Sequence, residues 1–166
     1  MRDAQHLPAI LAFLAQVGIA IREEPIAPDT FLPGIAIRDG ALVFDSARLQ
    51  WPGDLLHEAG HIAVLPPAVR PQAGDDLQLG AEIPFAGEME ALAWAYAAAT
   101  AIGLPVEVLV HEGGYKGQSK ALLQMYALGI YPGLQGLCGA QMAESPNFMP
   151  ECGPVHYPRM LKWLRD

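Results

Sequence analysis

His57-Glu58-Ala59-Gly60-His61 places two imidazoles and a carboxylate within five residues. On a helix, positions i and i+4 lie about 40° apart around the axis and one turn along it. Both histidines can then reach one Zn²⁺ at roughly 2.0–2.1 Å. Glu58 follows the first ligand directly and can lean toward the same ion. The chemistry this suggests is hydrolysis: zinc lowers the pKa of a bound water to about 7, and a neighbouring carboxylate takes its proton. The bland alternative makes His57 and His61 ordinary polar residues on an amphipathic helix, leaving Glu58 among alanines and leucines without a reason.

The flanks favour a helix over about 51–65. Pro52 suits a first turn and Asp54 places a negative charge there. Leu55, Leu56, Ala59, Ile62, Ala63 and Leu65 supply apolar surface, and Pro66-Pro67 stops the element.

A catalytic zinc needs a third protein ligand, usually in a His₃ or His₂Glu set. One segment can provide it. From Gly87 to Ile102 the chain is alanine-rich and strongly helical, closed by Gly103 and Pro105, and it begins Glu88-Met89-Glu90. Two residues apart on a helix means about 200° apart, so only one of the two carboxylates can face His57 and His61. Glu90 is the expected ligand, because it shares a face with Trp94 and with Ala91, Ala97 and Ala98, whereas Glu88 reads as a solvated first-turn carboxylate.

These two segments resemble the gluzincin metallopeptidases, and within them the ImmA/IrrE-like family of small intracellular zinc proteins. The resemblance covers roughly residues 9–102, with Glu90-Ala91-Leu92-Ala93-Trp94-Ala95 matching the family's Glu-Ala-x-x-aromatic-Ala motif. It implies His57, His61 and Glu90 as zinc ligands, Glu58 as general base, and a specific protein substrate. The chain departs from the family's pattern at Gln50-Trp51-Pro52-Gly53, at Leu92 and at Gly103-Leu104-Pro105.

Upstream, Leu7, Ile10, Leu11, Leu14 and Val17 recur at helical spacing, Gly18 ends that pattern, and Ile19-Ala20-Ile21 reads as a short strand. Residues 34–38 and 41–44 flank Asp39-Gly40, a dipeptide suited to a type I′ hairpin turn. An edge of that sheet could pair with an extended substrate, or the hairpin could be purely structural. The expected fold is therefore α+β: a zincin-like minimal metallopeptidase domain with a small antiparallel or mixed sheet packed on the H-E-x-x-H helix and a Glu-bearing helix, plus extra C-terminal helices.

Length and composition set the outer limits. With 166 residues and 52% hydrophobic side chains, one compact domain spanning 1–166 is expected. A net charge of −8 with only 10 Lys+Arg argues against nucleic acid and against an anionic membrane surface. Residues 7–20 approach a signal-peptide core in length, but Asp3 partly cancels Arg2 in what should be a basic leader. A cytoplasmic protein with reduced Cys138 and Cys152 is the expectation.

Farther along, residues 66–86 read as a long loop. His111-Glu112-Gly113-Gly114-Tyr115-Lys116-Gly117 is a glycine-rich turn that does not match a phosphate loop. Ser119 is expected to cap a helix through Leu128; Leu134, Leu137 and Met142 should face inward; and a last helix should run from Pro158 to Leu164. Zinc hydrolases commonly have a further polar group that stabilises the oxyanion, for which His111 and Tyr115 lead weakly over Tyr126, Tyr131 and His156.

The functional expectation is a zinc-dependent metallopeptidase that hydrolyses peptide bonds of a peptide or protein substrate through a Glu58-activated, zinc-bound water. The alternative is a zinc-binding interaction or sensor module with the same fold and little or no hydrolytic activity. Hydrolysis of a non-peptide amide is a third possibility.

Overall fold

The computed structural model describes residues 1–28, 30, 32–74, 87–145 and 156–166. Its architecture is mixed α and β, with a three-stranded sheet against helices. Helix α1 (Leu7–Gln16) carries Pro8 in its first turn and buries Ile10, Phe13 and Leu14. Strand β1 (Ile21–Glu23) begins slightly later than the Ile19–Ile21 expected from sequence. The hairpin forms as expected. Strands β2 (Ile35–Arg38) and β3 (Ala41–Phe44) pair antiparallel around Asp39 and Gly40, whose φ angles of 51° and 71° are both left-handed.

The strand order is β1-β3-β2, with β1 parallel to β3. The sheet is covered on both faces. Ile35, Ile37, Leu42 and Phe44 join the main core, while Ala36 and Val43 pack with Ile26 in a small separate cluster on the other side. That explains why β3 reads as a continuous apolar run and not as an alternating one.

Helix α2 (Asp54–Ala63) carries the motif, and α3 (Glu88–Ala101) packs closely against it. Alanine makes this approach possible. Residues Ala91–Ala95 and Ala97–Ala99 of α3 are all buried, and Gly60 of α2 sits so close to Ala91 that a Cβ there would lie 2.5 Å from the Ala91 carbonyl oxygen.

The end of α2 is tied down by arginines. The guanidinium of Arg70 donates to the carbonyls of Ile62, Leu65 and Arg165, while Arg165 donates from its backbone to Ala63 and from its side chain to Val64. These bonds satisfy terminal carbonyls that a helix cannot satisfy itself. The same C-terminal segment is fixed by Trp163, whose carbonyl accepts from Trp94 Nε1 at 2.8 Å and whose ring meets Phe13 and Trp94 edge-on.

Downstream lie α4 (Val106–Leu109), α5 (Ser119–Ala127) and α6 (Leu134–Gly139). Leu134, Leu137 and Met142 are buried, as expected. Two expectations need correction. Ser119 does not cap α5; it is the first helical residue, and its hydroxyl donates to the His111 carbonyl. Residues 158–164 form no helix. A bridge between Met160 and Ala143, the bonds from Leu161 and Lys162 to the Met142 carbonyl, and the Arg165 bonds to the end of α2 hold that segment in an irregular course. The long loop is described only to Gly74, with a single 3₁₀ turn at Arg70–Gln72, and its remainder lies outside the described residues. Cys138 is unpaired and half-buried, and Cys152 lies outside the described residues. Among the described residues, no helix is long and apolar enough to cross a membrane.

Candidate metal centre

His57 and His61 project from the same side of α2, and their Nε2 atoms face each other at 3.3 Å. Burial leaves the two side chains only 13% and 15% exposed. The third group comes from the first turn of α3, and it is Glu88. Its Oε2 lies 3.1 Å from His57 Nε2 and its Oε1 lies 3.6 Å from His61 Nε2. These three side chains form a group able to hold a metal ion. A tetrahedral ion with bonds of roughly 2.0–2.2 Å separates its donor atoms by about 3.3–3.6 Å, so the spacing fits one face of such a polyhedron.

Glu90 does not join them. Its side chain lies against Gly136 of α6, where a Cβ would collide with it, and lines a hollow shared with Tyr131 and Arg165. The correction has a geometric cause. Ala91 is the residue of α3 that meets Gly60, and a position three residues earlier falls on nearly the same helix face, whereas the adjacent position is turned by about 100°. Glu88 therefore faces α2 and Glu90 faces α6.

Electrostatics keep two of the three donors unprotonated. The hydrogen bond from His57 and the positive charges near it hold the Glu88 carboxyl at about 2, against the opposing effect of partial burial. Burial, reinforced by the neighbouring His57, lowers His61 to about 4. His57 moves the other way. Burial alone would lower it, but the bond to Glu88 and the charges of Glu58, Glu88 and Asp54 outweigh that effect and raise it above 6.5. Its other ring nitrogen, Nδ1, is buried and makes no hydrogen bond to a described residue.

Glu58 lies on α2 beside His57, half-buried, and its charge is felt by both His57 and Tyr115. The glycine-rich turn forms the site's other wall. Tyr115 sets its ring edge-on to His57, with centroids 6.0 Å apart, and its hydroxyl donates to the Leu109 carbonyl at 3.2 Å. Burial, helped by surrounding carboxylates, raises its pKa strongly, so the hydroxyl keeps its proton. Tyr115 and Lys116 both adopt left-handed φ angles, 53° and 50°, a conformation that costs non-glycine residues energy and tends to occur where side chains must be aimed. Lys116 contributes to the low pKa of Glu88.

His111 is buried beneath this turn. Its Nε2–H donates to Asp54 Oδ1 at 2.7 Å, and its ring stacks on Trp51 at 4.2 Å with planes 6° apart. Arg2 lies over the other part of this stack, 4.8 Å from the Trp51 ring. Of the two residues singled out as oxyanion donors, His111 thus spends its Nε2–H on Asp54, and Tyr115 points its hydroxyl at backbone. Sequence reasoning gave no role to Asp54 beyond its helix-end charge, yet Asp54 stands three residues before His57 on the same helix face. That spacing was the available signal.

Comparison with protein-family models, with curated proteins and with solved structures finds no match to this chain, and the motif and its geometry carry the functional argument.

Proposed function

We propose that the protein is a zinc-dependent peptidase of gluzincin type, with His57, His61 and Glu88 as metal ligands and Glu58 as general base. The observation that carries this reading is the triangle of donor atoms at 3.3, 3.1 and 3.6 Å, with a carboxylate directly after the first histidine. The resemblance to the ImmA/IrrE-like family supports it, with the third ligand moved from Glu90 to Glu88. Zinc held there would supply a Lewis acid for a substrate carbonyl and would acidify water.

The protein's own residues do the remaining work. His57 and His61 present their Nε2 atoms from a helix whose far end is fastened by Arg70 and Arg165. Glu58 takes a proton from the attacking water as the new C–O bond forms, and delivers it to the departing amine as the C–N bond breaks. Glu88, 74% exposed, leaves the site open to a chain from solvent.

A second reading has an observation behind it. Neither His111 nor Tyr115 offers a spare donor toward the histidines, which suits a zinc-binding interaction module with little turnover. Glu58→Gln separates the two. A peptidase keeps its zinc and loses at least about 10²-fold in cleavage of a peptide library, as expected for loss of a general base. A wild type that binds zinc and cleaves nothing would leave the interaction module as the better reading.

A further inference from the structure

Glu90 is a half-buried carboxylate that the metal centre does not use. It makes no hydrogen bond or ion pair with a described residue. It lines a hollow of about 770 Å³ between the start of α3, α6 and the C-terminal segment. Arg165 lines the same hollow. Its guanidinium makes one long bond, 3.3 Å, to the Val64 carbonyl, which leaves most of its five N–H donors without a described acceptor. The two opposite charges stand too far apart to pair with each other. Tyr131, Pro132, Ala140 and the bare backbone of Gly136 line the same hollow.

We propose that this hollow is a second binding site, for a small zwitterion of the free α-amino acid class, with the ammonium on Glu90 and the carboxylate on Arg165. The volume falls within the range of about 300–1,000 Å³ typical of small-molecule pockets. A ligand carrying both charges satisfies both groups at once, whereas a simple amine or a simple acid leaves one of them unpaired. The apolar and aromatic lining favours a side chain such as that of leucine. The inference is independent of peptidase activity.

Amide chemical shifts of the ¹⁵N-labelled, zinc-loaded protein test it, with L-leucine, L-leucinamide and N-acetyl-L-leucine as probes. Leucine should give saturable shifts at residues 131–140 and at Arg165, with at least tenfold higher affinity than either analogue. Glu90→Gln should weaken leucine at least tenfold while zinc content and melting temperature stay unchanged. Shifts that do not saturate, or that centre on residues 54–61 and so report chelation at the metal centre, would overturn the proposal. So would equal affinity for leucinamide, or leucine binding that Glu90→Gln leaves intact.

Discussion

Gly60 and Ala91 set the distance between the two helices of the metal centre: a Cβ on Gly60 would come within 2.5 Å of the Ala91 carbonyl oxygen. His61 follows Gly60 directly, and Glu88 lies one turn before Ala91, so this single contact places the third donor against the second histidine. Gly60→Ala must push α3 away. Overpacking of this kind costs about 1–3 kcal/mol. Chemical denaturation of the zinc-free protein should show that loss, and zinc affinity should fall along with it. Unchanged affinity would mean that Glu88 is positioned by something other than this crossing.

Zinc per chain, measured by elemental analysis after purification without added metal, separates the two carboxylates of α3. Wild type and Glu90→Ala should hold one ion each. Glu88→Ala and His61→Ala should lose it, with affinity falling by more than the roughly 10–100-fold that removal of an outer partner costs. Retention by Glu88→Ala with loss in Glu90→Ala would restore the assignment expected from sequence.

Much of the site could be read from the chain because it depends on local spacing. His57 and His61 share a helix face by periodicity alone, and Asp39-Gly40 dictates its own turn. The choice between Glu88 and Glu90 was of another kind. It rested on finding the apolar face of α3, but that helix is buried nearly all round, so its pattern points in no direction. What decides the matter is a long-range contact, Gly60 on Ala91, and the seat for Glu90 at Gly136 is longer-range still. A helix over Pro158–Leu164 fails for the same reason: Trp163 packs against Phe13 and Trp94, and the backbone N–H groups of Leu161 and Lys162 donate to the Met142 carbonyl.

The Asp54–His111 pair should act on stability more than on metal content. His111 and Asp54 are 3% and 14% exposed, and His111→Ala leaves the carboxylate without its buried donor while removing the ring under Trp51. Loss of a hydrogen bond to a charged group of this kind costs on the order of 1.5–3 kcal/mol. Thermal melting should register that cost, and zinc stoichiometry should stay at one. If His111→Ala instead loses zinc while its melting temperature holds, the pair orients His57 and is not a structural brace.

Protons and metal compete at one histidine before the others. Zinc requires all three donors deprotonated, and His61, lowered to about 4, and Glu88, lowered to about 2, already are at neutral pH. His57, raised above 6.5 by Glu88 and the other carboxylates, is the group still carrying a proton at pH 6. Zinc binding near pH 6 should therefore release about one proton, and affinity should fall about tenfold per pH unit on acidification until His61 begins to titrate and steepens the slope. The zinc-free protein carries the matching signature. The His57 contribution to its stability is complete below 6.5 and is lost as pH rises through the raised value, while that of Glu88 is complete above 4.5 and is lost only as pH falls through about 2. Calorimetric titration with zinc at pH 6, in two buffers of different ionisation enthalpy, counts the protons directly. Release of two would place His61 among the charged groups despite its burial, and release of none would mean that the Glu88 bond does not hold a proton on His57.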